Sequence, residues 1–426
     1  MVVSLVPSLY PIFPSLPDRG GELRGFLMGD ERHLLIVLGT RPEEIKLVPV
    51  IWALQRCEHR LSIYTCVTGQ HREMLYPLLK LFGIKPHFDL HLMEENQSLY
   101  DISIKGLALL QPILRNLSPH LLLVQGDTTS AFIAALAAFY YKIPVGHVEG
   151  GLRSGDRYSP FPEEMNRRLI SVLANLHFVP TPLARENLLK EGIDEDAIFI
   201  TGNTVIDTLL ATVDKGYQFP EKELQRIDFI NKKVILVTSH RRENFGEGLR
   251  QICYAVREIA EENPMVEVVY PVHLNPQVRR PVFGILGLNP RIHLIEPLFY
   301  KSFVQLLDRS YLVLTDSGGV QEEAPSLGKP VILMRENTER PEGVVAGLVE
   351  VVGTDKEQIK RETNILLHDK DRYQQMAKVV NLYGDGRAGK RIAGIIMSRW
   401  SELVDGHSFG KQKFPFFIKE ALHKLQ

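Results

Sequence analysis

Carboxylates, one histidine and several basic side chains recur in this chain just after short apolar runs, a combination suited to moving a proton beside an anion. Asp127 stands in Gln125-Gly126-Asp127-Thr128, Glu149 in Glu149-Gly150-Gly151-Leu152-Arg153, and Glu163 in the proline-stiffened Pro160-Phe161-Pro162-Glu163-Glu164. His240 lies in Ser239-His240-Arg241-Arg242-Glu243-Asn244. Acids and an imidazole gathered in a cleft that excludes water can be tuned for general acid–base work. A second grouping suits a phosphate. Ser317, Gly318 and Gly319 follow a strand-like run and open a helical one, where backbone N–H groups face an anion. Glu323, one turn further on, is placed to accept hydrogen bonds from ribose hydroxyls, and Arg41, Lys46, Arg241 and Arg340 supply cations for a diphosphate. Each feature alone has an ordinary explanation: Asp127 as a cap on a helix near Thr128, Glu163 as first-turn charge, Ser317 as an N-cap. Their joint occurrence is what argues for chemistry.

The elements that must position these residues are short, β-branched apolar runs alternating with amphipathic segments. Such runs fall at 34–38, 63–67, 121–124, 144–148, 177–179 and 198–200, and again at 234–238, 266–270, 292–295, 312–314 and 331–334. Helical patterns lie between them, among them 44–55, 184–190, 249–262 and 303–308. Continuous apolar strands separated by helices predict parallel sheets covered on both faces. Eleven strands exceed one ordinary sheet, and the pattern restarts after Asn203, so two doubly wound α/β lobes with a cleft between them are expected. Ligands of such sheets bind beyond the carboxyl ends of the strands, where the polar loops above are concentrated.

At 426 residues the chain has room for two or three domains of ~150 residues. Its formal net charge of -1 lacks the signature of a general nucleic-acid binder. Three cysteines, Cys57, Cys66 and Cys253, suggest neither a disulfide framework nor a metal site, and a cytoplasmic location is expected. The apolar segment 1–28 carries Pro7, Pro11, Pro14 and Pro17, whereas a spanning helix needs ~20 uninterrupted apolar residues, so no membrane association is expected. Met28 is a candidate start; the basic segment after Asp405 is either a docked helix or a partner-binding tail. No P-loop lysine signature, His-Glu-x-x-His motif or nucleophile elbow occurs. Gly246-Glu247-Gly248 lacks the third glycine of a dinucleotide fingerprint, and Asp369-Lys370-Asp371 reads as a helix cap rather than a metal ligand set. Neither a cofactor nor a metal is expected.

Taken in order, the loops resemble those of the bacterial and archaeal non-hydrolysing UDP-N-acetylglucosamine 2-epimerases. The strings are GTRPEEIK (39–46), TGQHREML (68–75), QGDTTS (125–130), GHVEGGLRSGD (146–156), PFPEEMNR (160–167) and ITGNTVID (200–207). They continue with TSHRREN (238–244), YPVHLNP (270–276), TDSGGVQEEAPSLGKPV (315–331), ERPEG (339–343) and YGDGRAG (383–389). The resemblance implies the glycosyltransferase-B and glycogen phosphorylase type of fold, with Rossmann-like lobes at 32–202 and 203–387. A helix at about 388–405 would cross back to the first lobe, leaving tails at 1–31 and 406–426. It implies reversible conversion of UDP-GlcNAc to UDP-ManNAc by anti elimination of UDP to a 2-acetamidoglucal and re-addition, without NAD or an essential metal, in a homodimer.

Carried over by motif, Asp127, Glu149 and Glu163 would be acid–base residues, with His240 beside the diphosphate. Arg41, Lys46, Arg167, Ser317, Gly318, Gly319, Glu323 and Arg340 would bind substrate, and Phe303 would lie near the uracil. Some members bind a second UDP-GlcNAc as an activator through a Gln-His-Arg-Gln string. This chain keeps Gln70, His71 and Arg72, with Arg241 and His273 elsewhere, but has Glu73 in the string, and a carboxylate there disfavours an anion. Two enzymes and one binding module stay open beside this reading: a 2-epimerase of a related UDP-diacetamido sugar, a UDP-sugar transferase, and a non-catalytic UDP-sugar sensor.

Overall fold

The computed structural model describes residues 32–57, 61–69, 72–92, 94 and 97–405. The two tails, and with them the expectations for Met28 and the basic C-terminal segment, lie outside the described residues.

Among the described residues, thirteen strands form two all-parallel sheets. The first contains β1 (Arg32–Leu38), β2 (Leu61–Val67), β3 (Phe88–Asp89), β4 (Leu121–Gln125), β5 (Val145–Val148), β6 (Leu176–Val179) and β7 (Ile198–Ile200), in the order β3-β2-β1-β4-β5-β6-β7. The second contains β8 (Lys233–Thr238), β9 (Val266–Pro271), β10 (Ile292–Ile295), β11 (Leu312–Thr315), β12 (Val331–Leu333) and β13 (Val349–Val351), in the order β10-β9-β8-β11-β12-β13. All eleven expected runs are strands. The two that sequence patterning missed are edge strands without a continuous apolar run: β3 is the pair Phe88-Asp89, and Glu350 interrupts β13.

Central strands are buried on both faces because successive side chains point opposite ways. Leu34, Ile36 and Leu38 of β1 pack with Leu47, Val50 and Ile51 of the helix Arg41–Gln55, whereas Leu35 and Val37 pack with Leu110, Ile133 and Ala134 on the other face. In the second sheet Ile235 and Val237 face one core and Val234 and Leu236 the other.

In each sheet the strand order reverses between its first strand and the fourth, at β1/β4 and at β8/β11. Those switch points open the crevices where α/β sheets bind ligands. The loops carrying Gly39–Arg41 and Gln125–Asp127 leave one, and those carrying Ser239–Arg241 and Asp316–Gly319 leave the other.

Two chain passages join the lobes and lie against each other. Gly202, at φ 87°, approaches so closely that a Cβ there would sit 3.1 Å from Gly384 Cα. Asn203 N donates to Tyr383 O at 2.5 Å. The Asp207 carboxylate accepts from Ala388 N and Gly389 N at 3.1 and 2.9 Å, holding the start of the helix Ala388–Ser398. That helix returns to the first sheet: Ile392, Ala393 and Ile396 join the β1 core, and a Cβ on Gly389 would meet Pro49 O at 2.6 Å. Among the described residues no helix is long and apolar enough to cross a membrane.

Candidate active site

Glu149 directly follows β5, with its backbone at φ 64°, a left-handed conformation that an L side chain adopts only under constraint. The constraint is the neighbouring strand, since Glu149 N and Gly150 N both donate to Phe178 O, at 2.9 and 3.2 Å. The turn carries the carboxylate into the cleft. There Lys46 Nζ, from the second turn of the helix Arg41–Gln55, lies 2.6 Å from Glu149 Oε1 and 2.5 Å from Oε2. Gln125 also donates to Oε2, and Asn203 Nδ2 donates to Oε1 at 2.9 Å. The same Asn203 nitrogen donates to Glu322 Oε2 at 2.5 Å, and Glu322 in turn accepts from Arg340 Nε. A continuous chain, Lys46–Glu149–Asn203–Glu322–Arg340, thus runs from the first lobe to the second.

Burial alone would raise the Glu149 carboxyl, but Lys46 and Arg340 overcome it and hold Glu149 below its ordinary value. Glu322 goes the other way, pushed up by burial, with Glu149 adding to the rise against the pull of Arg340 and Lys46. Burial likewise pushes Glu323 up to about 7, with Glu322 adding to it, although Lys46 and Arg41 oppose the rise. Tyr300 OH lies 3.5 Å from Glu323 Oε1. Burial lowers the Arg41 guanidinium while Glu323 and Tyr300, across the cleft, pull it back.

Asp127 has a different partner from the one its position suggests. Thr128 caps the helix Thr129–Tyr140, accepting from Ala131 N at 3.1 Å. The Asp127 carboxylate instead receives Arg167 Nη2 at 2.6 Å and Nε at 3.1 Å. Arg167 reaches back to the buried Glu164 at 3.0 Å, and Glu164 also accepts from Ser154 N at 3.0 Å and Arg168 Nε at 3.1 Å. The loop is steadied from beneath by His147, whose Nε2 is 2.7 Å from Gly126 O. A carbonyl only accepts, so Nε2 carries the proton, and burial takes this imidazole down to about 4, keeping it neutral. Glu163 begins the helix Glu163–Leu173, half-buried, and its carboxylate forms no hydrogen bond or ion pair with a described residue.

The second-lobe loops are organised by Asp316, which is fully buried. It accepts from Ser239 Oγ at 2.8 Å, His240 N at 2.9 Å, Arg241 N at 3.0 Å and Asn244 Nδ2 at 3.1 Å. His240 stacks on the exposed His273 with ring centres 5.7 Å apart. Burial lowers the His240 imidazole; Asp316 opposes this, and Arg241 and His273 add to it. A Cβ on Gly318 would lie 2.8 Å from Arg340 Nη1 and 3.5 Å from Arg241 Nη2, so glycine is what lets both guanidinium groups approach this loop. The buried Arg241 Nε has no hydrogen-bond partner among the described residues. Ser317 does not cap: Gly319 precedes the helix Val320–Ser326, which is only seven residues long, so the positive charge at this loop comes from the arginines rather than from a long helix.

Of the expected site residues, Lys46, Glu149 and Arg340 lie on one hydrogen-bonded chain, Asp127 pairs with Arg167, and Arg241 and Arg340 approach Gly318. Phe303 is half-buried on the helix Tyr300–Arg309, packed against the second-lobe core. Gln70 and the side chain of Arg72 lie outside the described residues. Sequence reasoning passed over Gln125, Asn203, Asp316 and Glu322. Their signals were position, at a switch-point loop or at the passage between lobes, and for Glu322 an acidic neighbour. Among the described residues no group of three His, Cys, Asp or Glu side chains is arranged to hold a metal ion.

Comparison with known proteins gives this arrangement its class. The sequence profile of the UDP-N-acetylglucosamine 2-epimerase family matches residues 54–397, and the chain belongs to that family, whose members are isomerases. It is 50% identical over 374 residues to the UDP-N-acetylglucosamine 2-epimerase of Campylobacter jejuni, covering 86% of this chain and 97% of that protein. The UDP-GlcNAc 2-epimerase of Neisseria meningitidis, solved bound to UDP-GlcNAc, superimposes with a TM-score of 0.81 at 47% identity, over 86% of this chain and 100% of that one. A glycotransferase of kitacinnamycin, 13% identical with a TM-score of 0.60 over 87% of this chain and all of that one, shares the fold alone. The fold is α/β with two Rossmann-like lobes of the glycosyltransferase-B type.

Proposed function

We propose that this enzyme interconverts UDP-GlcNAc and UDP-ManNAc by eliminating and re-adding UDP. The diphosphate sits against Arg241, Arg340, His240 and the Ser317–Gly319 loop, with Glu323 on the ribose. The first-lobe acids then flank C2 of the sugar. A carboxylate takes the C2 proton, the C2–H electron pair becomes the C1=C2 double bond, and the C1–O bond breaks with its electrons on the β-phosphate oxygen. In the reverse step that oxygen adds to C1 and a proton reaches the opposite face of C2. Charge developing on the leaving diphosphate is met by guanidinium groups already oriented in a dehydrated site.

The observation that carries this reading is the state of Glu149. It is buried yet held ionised by Lys46, on the lobe facing the arginines, which equips it to accept a proton. Asp127, oriented by Arg167, and the unpaired Glu163 serve the other face of C2. The substrate follows from family membership and from the relative bound to UDP-GlcNAc. A homodimer is supported by an apolar exterior on three contacting helices of the first lobe, where Ile104, Phe139, Tyr140, Leu169 and Val172 are exposed.

Incubation with UDP-GlcNAc alone tests the reading by chromatography of the nucleotide sugars. Appearance of UDP-ManNAc without an acceptor or NAD is expected. Consumption only when an acceptor is added would mark a transferase, and binding without turnover a sensor.

A further inference from the structure

Asn203 sits on the first of the two passages between the lobes, 1% exposed, with each of its hydrogen-bonding hydrogens engaged. Its backbone N–H goes to Tyr383 O on the second passage at 2.5 Å. Its Oδ1 accepts from Val205 N at 3.1 Å, capping the helix Thr204–Thr212. Its two amide hydrogens are divided between the lobes, one for Glu149 Oε1 at 2.9 Å and one for Glu322 Oε2 at 2.5 Å. The cap alone would be met equally by serine, threonine or aspartate. Only an amide also presents two donors to two carboxylates.

From this geometry we infer that Asn203 is a positioning residue for the epimerisation, tying the orientation and charge of Glu149 to the Glu322–Arg340 pair of the opposite lobe. The inference rests on the reading of Glu149 as the base. Lys46 grips both Glu149 oxygens but belongs to the same lobe, so it holds the carboxylate whatever the angle between lobes. Asn203 is the direct link from Glu149 to an acid of the second lobe, which is itself paired with the arginine proposed to meet the diphosphate. Rotation of one lobe against the other pulls on this amide. When Glu322 and Arg340 are in place the amide stays on Glu149 and favours its charged form.

The test uses Asn203→Ser and Asn203→Asp in the full chain, with kcat and KM measured from pH 5.5 to 9. Serine keeps the helix cap and loses the bridge. Aspartate keeps the cap and adds a third carboxylate. The expected result for Asn203→Ser is a fall in kcat of roughly tenfold or more, in the range for misplacing an acid–base group. Its KM for UDP-GlcNAc should change less than threefold, and the acidic limb of the rate profile should move to higher pH. Asn203→Asp should move that limb further in the same direction. Thermal unfolding reports whether each variant is folded, and a variant that fails to fold leaves the other to decide. Wild-type kcat and an unmoved limb in a folded Asn203→Ser protein would overturn the inference and leave only the cap. Glu149→Gln separates the two levels. If it retains wild-type turnover, the assignment of the base is what fails. If it is inactive while Asn203→Ser is normal, only the role of Asn203 fails.

Discussion

Lys46 Nζ lies 2.6 and 2.5 Å from the two carboxylate oxygens of Glu149, at the floor of the cleft between the lobes. A lysine at this position would be expected to meet the diphosphate of a substrate. Here its charge is directed at the acid, and in a buried site that charge is what keeps the carboxylate ionised. Position in the motif announces a cation; its partner is set by the left-handed turn that swings Glu149 toward the helix Arg41–Gln55.

Lys46→Met should therefore damage catalysis more than binding. Without the ammonium, burial dominates and the Glu149 carboxyl rises, so less of it is ionised at neutral pH. We expect kcat to fall by about 10²–10³, the range for losing an acid–base group or an oriented charge, with partial recovery at alkaline pH. A pH–rate profile with UDP-GlcNAc checks this; a variant altered only in KM would contradict it.

Glu44 lies beside the site and takes no part in it. It is fully buried, neither oxygen has a hydrogen-bond partner among the described residues, and burial together with Glu43 pushes it up to about 9. A folded-state value above the ordinary 4.5 means that the native protein holds a proton the unfolded chain gives up, so stability falls as pH rises between the two values. Glu44→Gln should leave thermal stability near that of the wild type at pH 5. At pH 8 it should stabilise the protein, with up to about 4 kcal/mol of differential stability gained across that interval. Melting temperatures of both proteins across that range measure it.

Asp316 accepts four close hydrogen bonds that set the loop Ser239–Asn244. Asp316→Ala would strand buried donors and should lower stability by about 3–5 kcal/mol. Because His240 and Arg241 lose their backbone anchor, affinity for UDP should weaken at least tenfold. Calorimetric titration with UDP, below the melting temperature, checks the second effect.

Homotropic activation is not expected. Glu73 stands in the string that would cradle a second nucleotide sugar, and a carboxylate repels an anion. The initial rate should rise hyperbolically with UDP-GlcNAc; a sigmoidal curve would show that a second molecule binds despite Glu73.

Much of this molecule is legible in the order of its residues, and what is not legible has physical reasons. Buried parallel strands write continuous apolar runs, so eleven strands and the restart after Asn203 could be read directly. Strands β3 and β13 could not, because Asp89 ends the first after one apolar residue and Glu350 splits the second. Polar loops after β1, β4, β8 and β11 marked the crevices, since strand order reverses at those strands. Partnership was not legible. Asp127 was open to a capping role, yet the side chain of Thr128 is the one that turns back on Ala131, freeing Asp127 for Arg167. In the sequence Asn203 marks only the point where the pattern restarts; its bridging contacts exist only because folding brings residues 149 and 322 to either side of it.

The most direct test of the central claim is proton NMR of UDP-GlcNAc with enzyme in D₂O, comparing the wild type with Glu149→Gln. If a first-lobe acid removes hydrogen from C2 while the second lobe holds UDP, the wild type should replace the C2 proton by deuterium as the manno isomer appears. Glu149→Gln should slow both by roughly 10²-fold or more. Manno product that keeps its original C2 hydrogen, or wild-type exchange in Glu149→Gln, would contradict the account.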